Sequence, residues 1–233
     1  MFNQLMAQPL IPLALTLGVF AAATFVSGWS KGHPFANSVL ISVCALILLL
    51  SITQTPYEQY FAGAQFIHFL LGPATVALAV PLFRHLHRVR AAALPVLVGI
   101  GAGSASGVLS IVVITWALGG QENLATSLVT KSVTAPVSMA IAPQIGGMAS
   151  LAAIFSVLTG MIGAAFGPAL LNRLGIEDNL HRGLAMGTAS HGQGTARILQ
   201  ESEEAGAFSA LAMGLTALLM ALLLPVLWKL ILA

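Results

Sequence analysis

The sequence predicts an all-α polytopic membrane protein with about six transmembrane helices, two re-entrant or broken helical segments and an internal repeat. Three observations carry that expectation. Of the 233 residues, 58% are hydrophobic and only 7% charged, with a mean hydropathy of +0.94, whereas soluble domains carry roughly 25% charged residues. Several apolar stretches approach the roughly 20 residues that cross a hydrocarbon core. Two further stretches are moderately apolar yet hold a cation near their middles. So little polar surface cannot cover a core in water, and the bilayer is the solvent.

The six spans are expected at 9–28, 34–53, 61–83, 91–118, 145–171 and 206–232. The opening MFNQLMAQPLIPLAL has no basic region before its apolar run, so a first span is expected there rather than a signal peptide. Trp29, Trp116 and Trp228 fall at ends of these runs, where an indole prefers the headgroup layer. The ambiguous stretches are LATSLVTKSVTAPVSMAIAP at 124–143 and GLAMGTASHGQGTARIL at 183–199. If both re-enter, Lys31, Arg84, Arg88, Arg90, Arg173 and Arg182 share one side, which is six of the nine Lys and Arg residues. The positive-inside rule makes that side cytoplasmic and leaves both termini outside. A bacterial inner membrane is the expected location.

ATVALAV at 74–80 returns as APVSMAI at 135–141, 61 residues later, and the same offset pairs Val96, Leu97 and Gly99 with Val157, Leu158 and Gly160. Each of the first pair follows a break, at Gly72 and Pro73 or at KSVTAP up to Pro136, and proline fits the first turn of a helix. Repeats with broken helices point to a binding site at the membrane midplane. The expected organisation is therefore a scaffold or dimerisation region at 1–60, a repeat-containing transport unit at 61–205 and a C-terminal span at 206–233. The transport unit would hold broken segments at 72–81, 124–143 and 183–199, and would move like an elevator against a dimeric scaffold.

A half-helix that starts inside the membrane offers free N–H groups and a positive dipole end. Lys131, Ser132 and Thr134 precede one such half-helix and would add a charge and two hydroxyls. The alternative is that Lys131 snorkels to an interface while the hydroxyls cap the helix. In the second stretch Gly187, Gly192 and Gly194 permit a non-helical backbone, which membrane depth tolerates only where it is buried or lines a cavity. Thr188, Ser190, His191, Gln193, Thr195 and Arg197 would supply polar groups to that cavity. His191 reads either as a proton carrier or as a packed neutral histidine. Arg197 reads either as a carboxylate ligand or as the partner of Glu201 four residues on.

Other features read blandly. Cys44 stands alone, which excludes an internal disulfide, and is expected to be a small buried hydrophobe. His68 is expected to be packed, Arg84 to Arg90 to form a loop that meets anionic lipid, and Glu177–Asp178 to close a turn. GAGSASG at 101–107 and GMIGAAFG at 160–167 have the spacing of close helix contacts. Catalytic motifs of hydrolases, metalloproteases and P-loop proteins are wanting, so neither an enzyme nor a bound metal or cofactor is expected. The scattered basic residues exclude a nucleic-acid footprint.

KSVTAPVSMAI, the IGG at 145–147, RGLAMGTASHGQGTAR and EEAGAFS together resemble the LrgB/CidB family of bacterial membrane proteins. A plastidic glycolate/glycerate translocator of plants carries a domain of the same family. The resemblance covers nearly the whole chain and is strongest at 130–210. It places family motif positions at Lys131, Ser132, Thr134 and Pro136, and at Gly187, Thr188, Ser190, His191, Gly194, Thr195 and Arg197. Gln193 stands where relatives are expected to be apolar. The resemblance implies one of two functions. One is carriage of a small monocarboxylate of the glycolate, glycerate, pyruvate or lactate type, with H+ or Na+ as a coupling ion. The other is a holin/antiholin-like modulation of murein hydrolase export and cell lysis beside a small LrgA/CidA-like partner. A homodimer is expected in either case.

Overall fold

The computed structural model describes Gln8 and residues 10–29, 38–77 and 79–232; Lys31 and the side chain of His68 lie outside what it describes. No strand occurs among the described residues. The helices are α1 (Leu10–Trp29), α2 (Ser38–Ile52), α3 (Tyr57–Ala77), α4 (Ala79–Arg84), α5 (Leu86–Ala91), α6 (Ala93–Ala117), α7 (Glu122–Leu128), α8 (Ala135–Ile141), α9 (Ala149–Arg173), α10 (Asn179–Leu199) and α11 (Glu203–Leu232). A 3₁₀ turn, Ala142–Ile145, continues α8. Four helices, α1, α6, α9 and α11, are long and apolar enough to cross a membrane, and α2 is a shorter apolar helix. The stretch expected to span at 61–83 does not join them: α3 carries Gln65 and His68, and its helix is described only to Ala77.

At most 33% of the most apolar window of any of the four is buried. Leu97, Leu109, Ile154, Ile162, Leu218 and Leu222 stand exposed, while Thr126, Thr130, Ser138, Ser156, Thr195 and Ser209 are fully or almost fully buried. Apolar outside and hydroxylated inside is the arrangement a lipid solvent selects. The chain is an all-α, multi-pass membrane protein.

Two compact units are formed, Met1–Ala77 and Leu78–Ala233. Within the second unit α11 packs on α6, α8 and α10. In the first unit α1 packs on α2 and α3. Thr16 donates to the Pro12 carbonyl at 2.7 Å and shares a 2.7 Å hydrogen bond with the Tyr60 hydroxyl. Cys44, expected to be buried, is exposed on α2. In a bilayer an outward-facing apolar position suits a thiol as well as an interior one.

In the second unit, α6, α9 and α11 frame two short helical hairpins. The first hairpin is α7, an unwound stretch at 129–134, then α8 and its 3₁₀ turn. It returns to its own start: the Met148 N–H donates to Ser127 Oγ at 2.8 Å. Gly146, at φ +83°, turns the chain in the left-handed region. A Cβ on Gly147 would lie 2.9 Å from the backbone of Thr126 and Ser127, which explains the paired glycines.

The second hairpin is α10. Its helical arms, 179–190 and 192–199, are separated at His191, whose φ of +40° and ψ of −128° lie outside the helical region. Were α10 straight, Arg182 and Glu201 would stand roughly 28 Å apart at 1.5 Å per residue. Instead the Arg182 guanidinium donates to the Glu201 carboxylate at 2.8 Å, so the chain enters, reverses and leaves by the same end. Asp178 caps the entering arm, its Oδ1 accepting from the Leu180 N–H at 2.9 Å and the His181 N–H at 3.2 Å.

Both stretches with a central cation therefore fold back on themselves as helical hairpins. The break expected at Gly72–Pro73 is not there. Helix α3 runs through Pro73 to Ala77, because one proline removes one hydrogen bond and its neighbours hold the turn. Pro136, by contrast, lies in the first turn of α8. The first copy of the sequence echo thus begins within α3, which is described to Ala77, whereas the second is a true half-helix, and the two hairpins resemble each other in shape rather than in sequence.

Candidate functional site

The hairpins enter the second unit from opposite ends. The second sits with the early halves of α6 and α11, where Val96, Ile100, Leu184, Phe208 and Ala212 form one buried cluster. The first sits with their later halves, where Val129, Val133, Ile141, Ile145, Met220 and Leu224 form another. Their tips meet about a third of the way along α9, at Ser156. Ser156, fully buried, donates its hydroxyl to the Val133 carbonyl of the first tip at 2.6 Å. Its own carbonyl lies 2.9 Å from His191 Nε2 at the second tip. A carbonyl only accepts, so Nε2 carries the proton in that bond. Gly160, one turn further, leaves room for the imidazole: a Cβ there would lie 2.7 Å from His191 Cε1.

Beside the tips opens a cleft of about 660 Å³ between α6, the first tip and the entering arm of α10. Lys131 and Ser132 line it from the first tip, Thr188 from α10, and Ser106, Gly107 and Ser110 from α6. The Lys131 ammonium donates to Ser132 Oγ at 3.2 Å. None of the ion pairs among the described residues includes it. Ser132 Oγ would stand 3.7 Å from a Cβ on Gly107. Gly107 lies near the middle of α6, so the cation stands level with the middle of that apolar helix.

The sequence-predicted residues are thus divided. Lys131, Ser132 and Thr188 share the cleft. Thr134 is the N-cap residue of α8, without a side-chain capping bond. His191 lies behind the cleft on Ser156. Ser190 packs where a Cβ on Gly163 would clash with it, and Gln193 packs against Gly160 with its Oε1 buried and unpartnered. Thr195 donates to the His191 carbonyl and pairs with Ser209, both at 2.8 Å.

Arg197 is not in the cleft. It pairs with Glu201 at 2.9 Å, and Arg182 binds the same carboxylate. Arg84 pairs with Glu203 at 2.7 Å and Arg88 with Glu204, so these cations are tied together at one end of the unit. Glu201, in the link between α10 and α11, is the partner that holds Arg197 there. Gly187 and Gly194 are also reassigned: both are inside helical arms. Gly187 allows contact with the backbone of Ser209, and Gly194 lets the leaving arm close on Met186 O, 2.6 Å from where its Cβ would be. The reversal itself falls on His191. Sequence reasoning missed Ser156 and the α6 wall. Ser106 and Ser110, four residues apart on one helical face, were the available signal for that wall.

A polytopic helical protein with two opposed helical hairpins and, beside their tips, a largely apolar cleft holding one cation and a few hydroxyls is the class that fold and site define. The chain belongs to the LrgB-like family, whose model matches residues 16–230. It is 36% identical over 186 residues to YxaC of Bacillus subtilis (strain 168), covering 80% of this chain and 81% of that protein. To the holin-like protein CidB of Staphylococcus aureus (strain N315) it is 31% identical over 195 residues, covering 84% and 85%. To the holin-like protein CidB of Staphylococcus epidermidis (strain ATCC 12228 / FDA PCI 1200) it is 28% identical over 220 residues, covering 94% and 96%. No solved structure matches the chain.

Proposed function

We propose that this protein carries small monocarboxylates across the membrane, holding the anion in the cleft beside Lys131. The observation behind this reading is the Lys131 ammonium, level with the middle of α6 with a neighbouring hydroxyl and no carboxylate partner among the described residues. Such a cation is costly unless a guest neutralises it. Ser132 accepts from Lys131 and keeps its own proton for a carboxylate oxygen, as does Thr188, whereas Ser106 and Ser110 already donate to the Gly103 and Gly107 carbonyls of α6; about 660 Å³ lies within the usual range of small-molecule sites. Glycolate, glycerate, pyruvate and lactate are the substrates of choice. Coupling to H+ or Na+ and a homodimeric scaffold belong to the same proposal.

A holin- or antiholin-like role beside an LrgA/CidA-like partner is the second reading. The names of the staphylococcal relatives favour it, and the comparisons speak for it more directly than for carriage. One reconstitution separates the two. The chain alone is placed in liposomes with labelled glycolate, or with trapped dyes of either charge. Saturable glycolate uptake without dye loss upholds the carrier; release of dyes regardless of charge overturns it in favour of a holin-like pore.

A further inference from the structure

We infer that Ser156 is a positioning residue that ties the two hairpin tips together and thereby sets the geometry of the anion cleft, an inference that rests on the carrier reading for its functional arm. Ser156 is the one residue seen to bond to both tips among the described residues, through its hydroxyl to Val133 O at 2.6 Å and through its carbonyl to His191 Nε2 at 2.9 Å. It reaches them from the third turn of a continuous 25-residue helix, so one rigid element fixes both. Val133 is next but one to Lys131, and a shift of its carbonyl moves the ammonium with it. A buried serine hydroxyl satisfied by a carbonyl already used for no helical bond is a specific tie: 129–134 is unwound, and Ser156 occupies an acceptor that helix geometry leaves open. On the other side, Gly160 keeps the imidazole seated by offering it no Cβ.

The test uses the full chain in liposomes and two readouts. In one, the thiol introduced by Ser132→Cys, in a Cys44→Ser background, is labelled with a membrane-impermeant maleimide, with and without Ser156→Ala. In the other, glycolate uptake is measured on chains that keep Ser132. Ser156→Ala should change the labelling rate several-fold and raise the KM for glycolate about tenfold with little change in maximal rate, the pattern of lost binding geometry. Ser156→Thr, which keeps the hydroxyl, should restore both. Unchanged labelling in Ser156→Ala, or failure of threonine to rescue, overturns the tie. Altered labelling in a chain whose parent carries no glycolate upholds the tie and removes the carrier reading instead. Should Ser156→Ala not insert, Gly160→Ala serves: its methyl would meet both the His191 imidazole and the Gln193 amide and disturb the bond to the Ser156 carbonyl, and unchanged labelling there also overturns the inference.

Discussion

The two hairpins differ in what their cations do. In the first, Lys131 stands at the tip, facing a cleft, with only a hydroxyl for company. In the second, Arg182 and Arg197 stand at the base, both bound to Glu201, while the tip is a buried, hydrogen-bonded histidine. Chain reversal is also achieved differently. The first hairpin spends six unwound residues, 129–134, on its turn; the second turns on His191 alone, in a backbone region costly for a residue with a Cβ. An open tip with a free charge suits a guest, and a tight tip locked by its neighbours suits a wall.

Removing the free charge should produce the largest effect. Lys131→Ala is expected to lower glycolate uptake into liposomes about 10- to 100-fold at sub-saturating substrate, the range of a lost charge-assisted contact. Insertion and thermal melting should stay as in the parent, because no protein carboxylate loses a partner. Equal uptake by Lys131→Ala and the parent would erase the distinction between the two tips.

The next effect concerns stability and belongs to the second hairpin. Gly194→Ala pushes a methyl to 2.6 Å from both Met186 O and Ser190 Cβ. The first of these is backbone, so the arms must part, at a cost of about 1–3 kcal/mol. Gly192→Ala, two residues away, meets nothing nearer than Met213 Sδ at 3.8 Å, and should shift stability by less than about 0.5 kcal/mol. Denaturation of the two variants in detergent measures the contrast. If both melt alike, the fold-back of the arms is wrong.

That contrast also shows where the sequence was legible. Apolar run length located α1, α6, α9 and α11 within a few residues, since a bilayer imposes one length on every crossing. A cation inside a moderately apolar stretch marked both hairpins, because burying a charge leaves few structural options. Local signals failed where tertiary contact decides. Pro73 looks like a breaker and sits within a helix. Glycine looks like the turn residue, yet His191 makes the turn and Gly187 and Gly194 permit close packing. Ser156 has no distinguishing neighbourhood in the chain, and only the meeting of two remote tips gives it a role.

The smallest effect concerns Arg197, which lies on the helix that supplies Thr188 to the cleft but binds away from it. Its pairing with Glu201 at 2.9 Å is half of a shared arrangement, Arg182 holding the other oxygen and also donating to Asn172 Oδ1 and the Ile176 carbonyl. Arg197→Ala leaves that second set intact. It should cost about 0.2–1 kcal/mol, as a partly exposed pair does, and leave the KM for glycolate unchanged. Glu201→Gln should cost more, since two guanidinium groups lose their counter-charge and Arg182 is only 11% exposed. Melting in 1 M salt, where the Debye length falls to about 3 Å, should narrow the gap between Arg197→Ala and the parent. Loss of uptake in Arg197→Ala with melting unchanged would return this arginine to the anion site and undo the division between a liganding tip and a structural base.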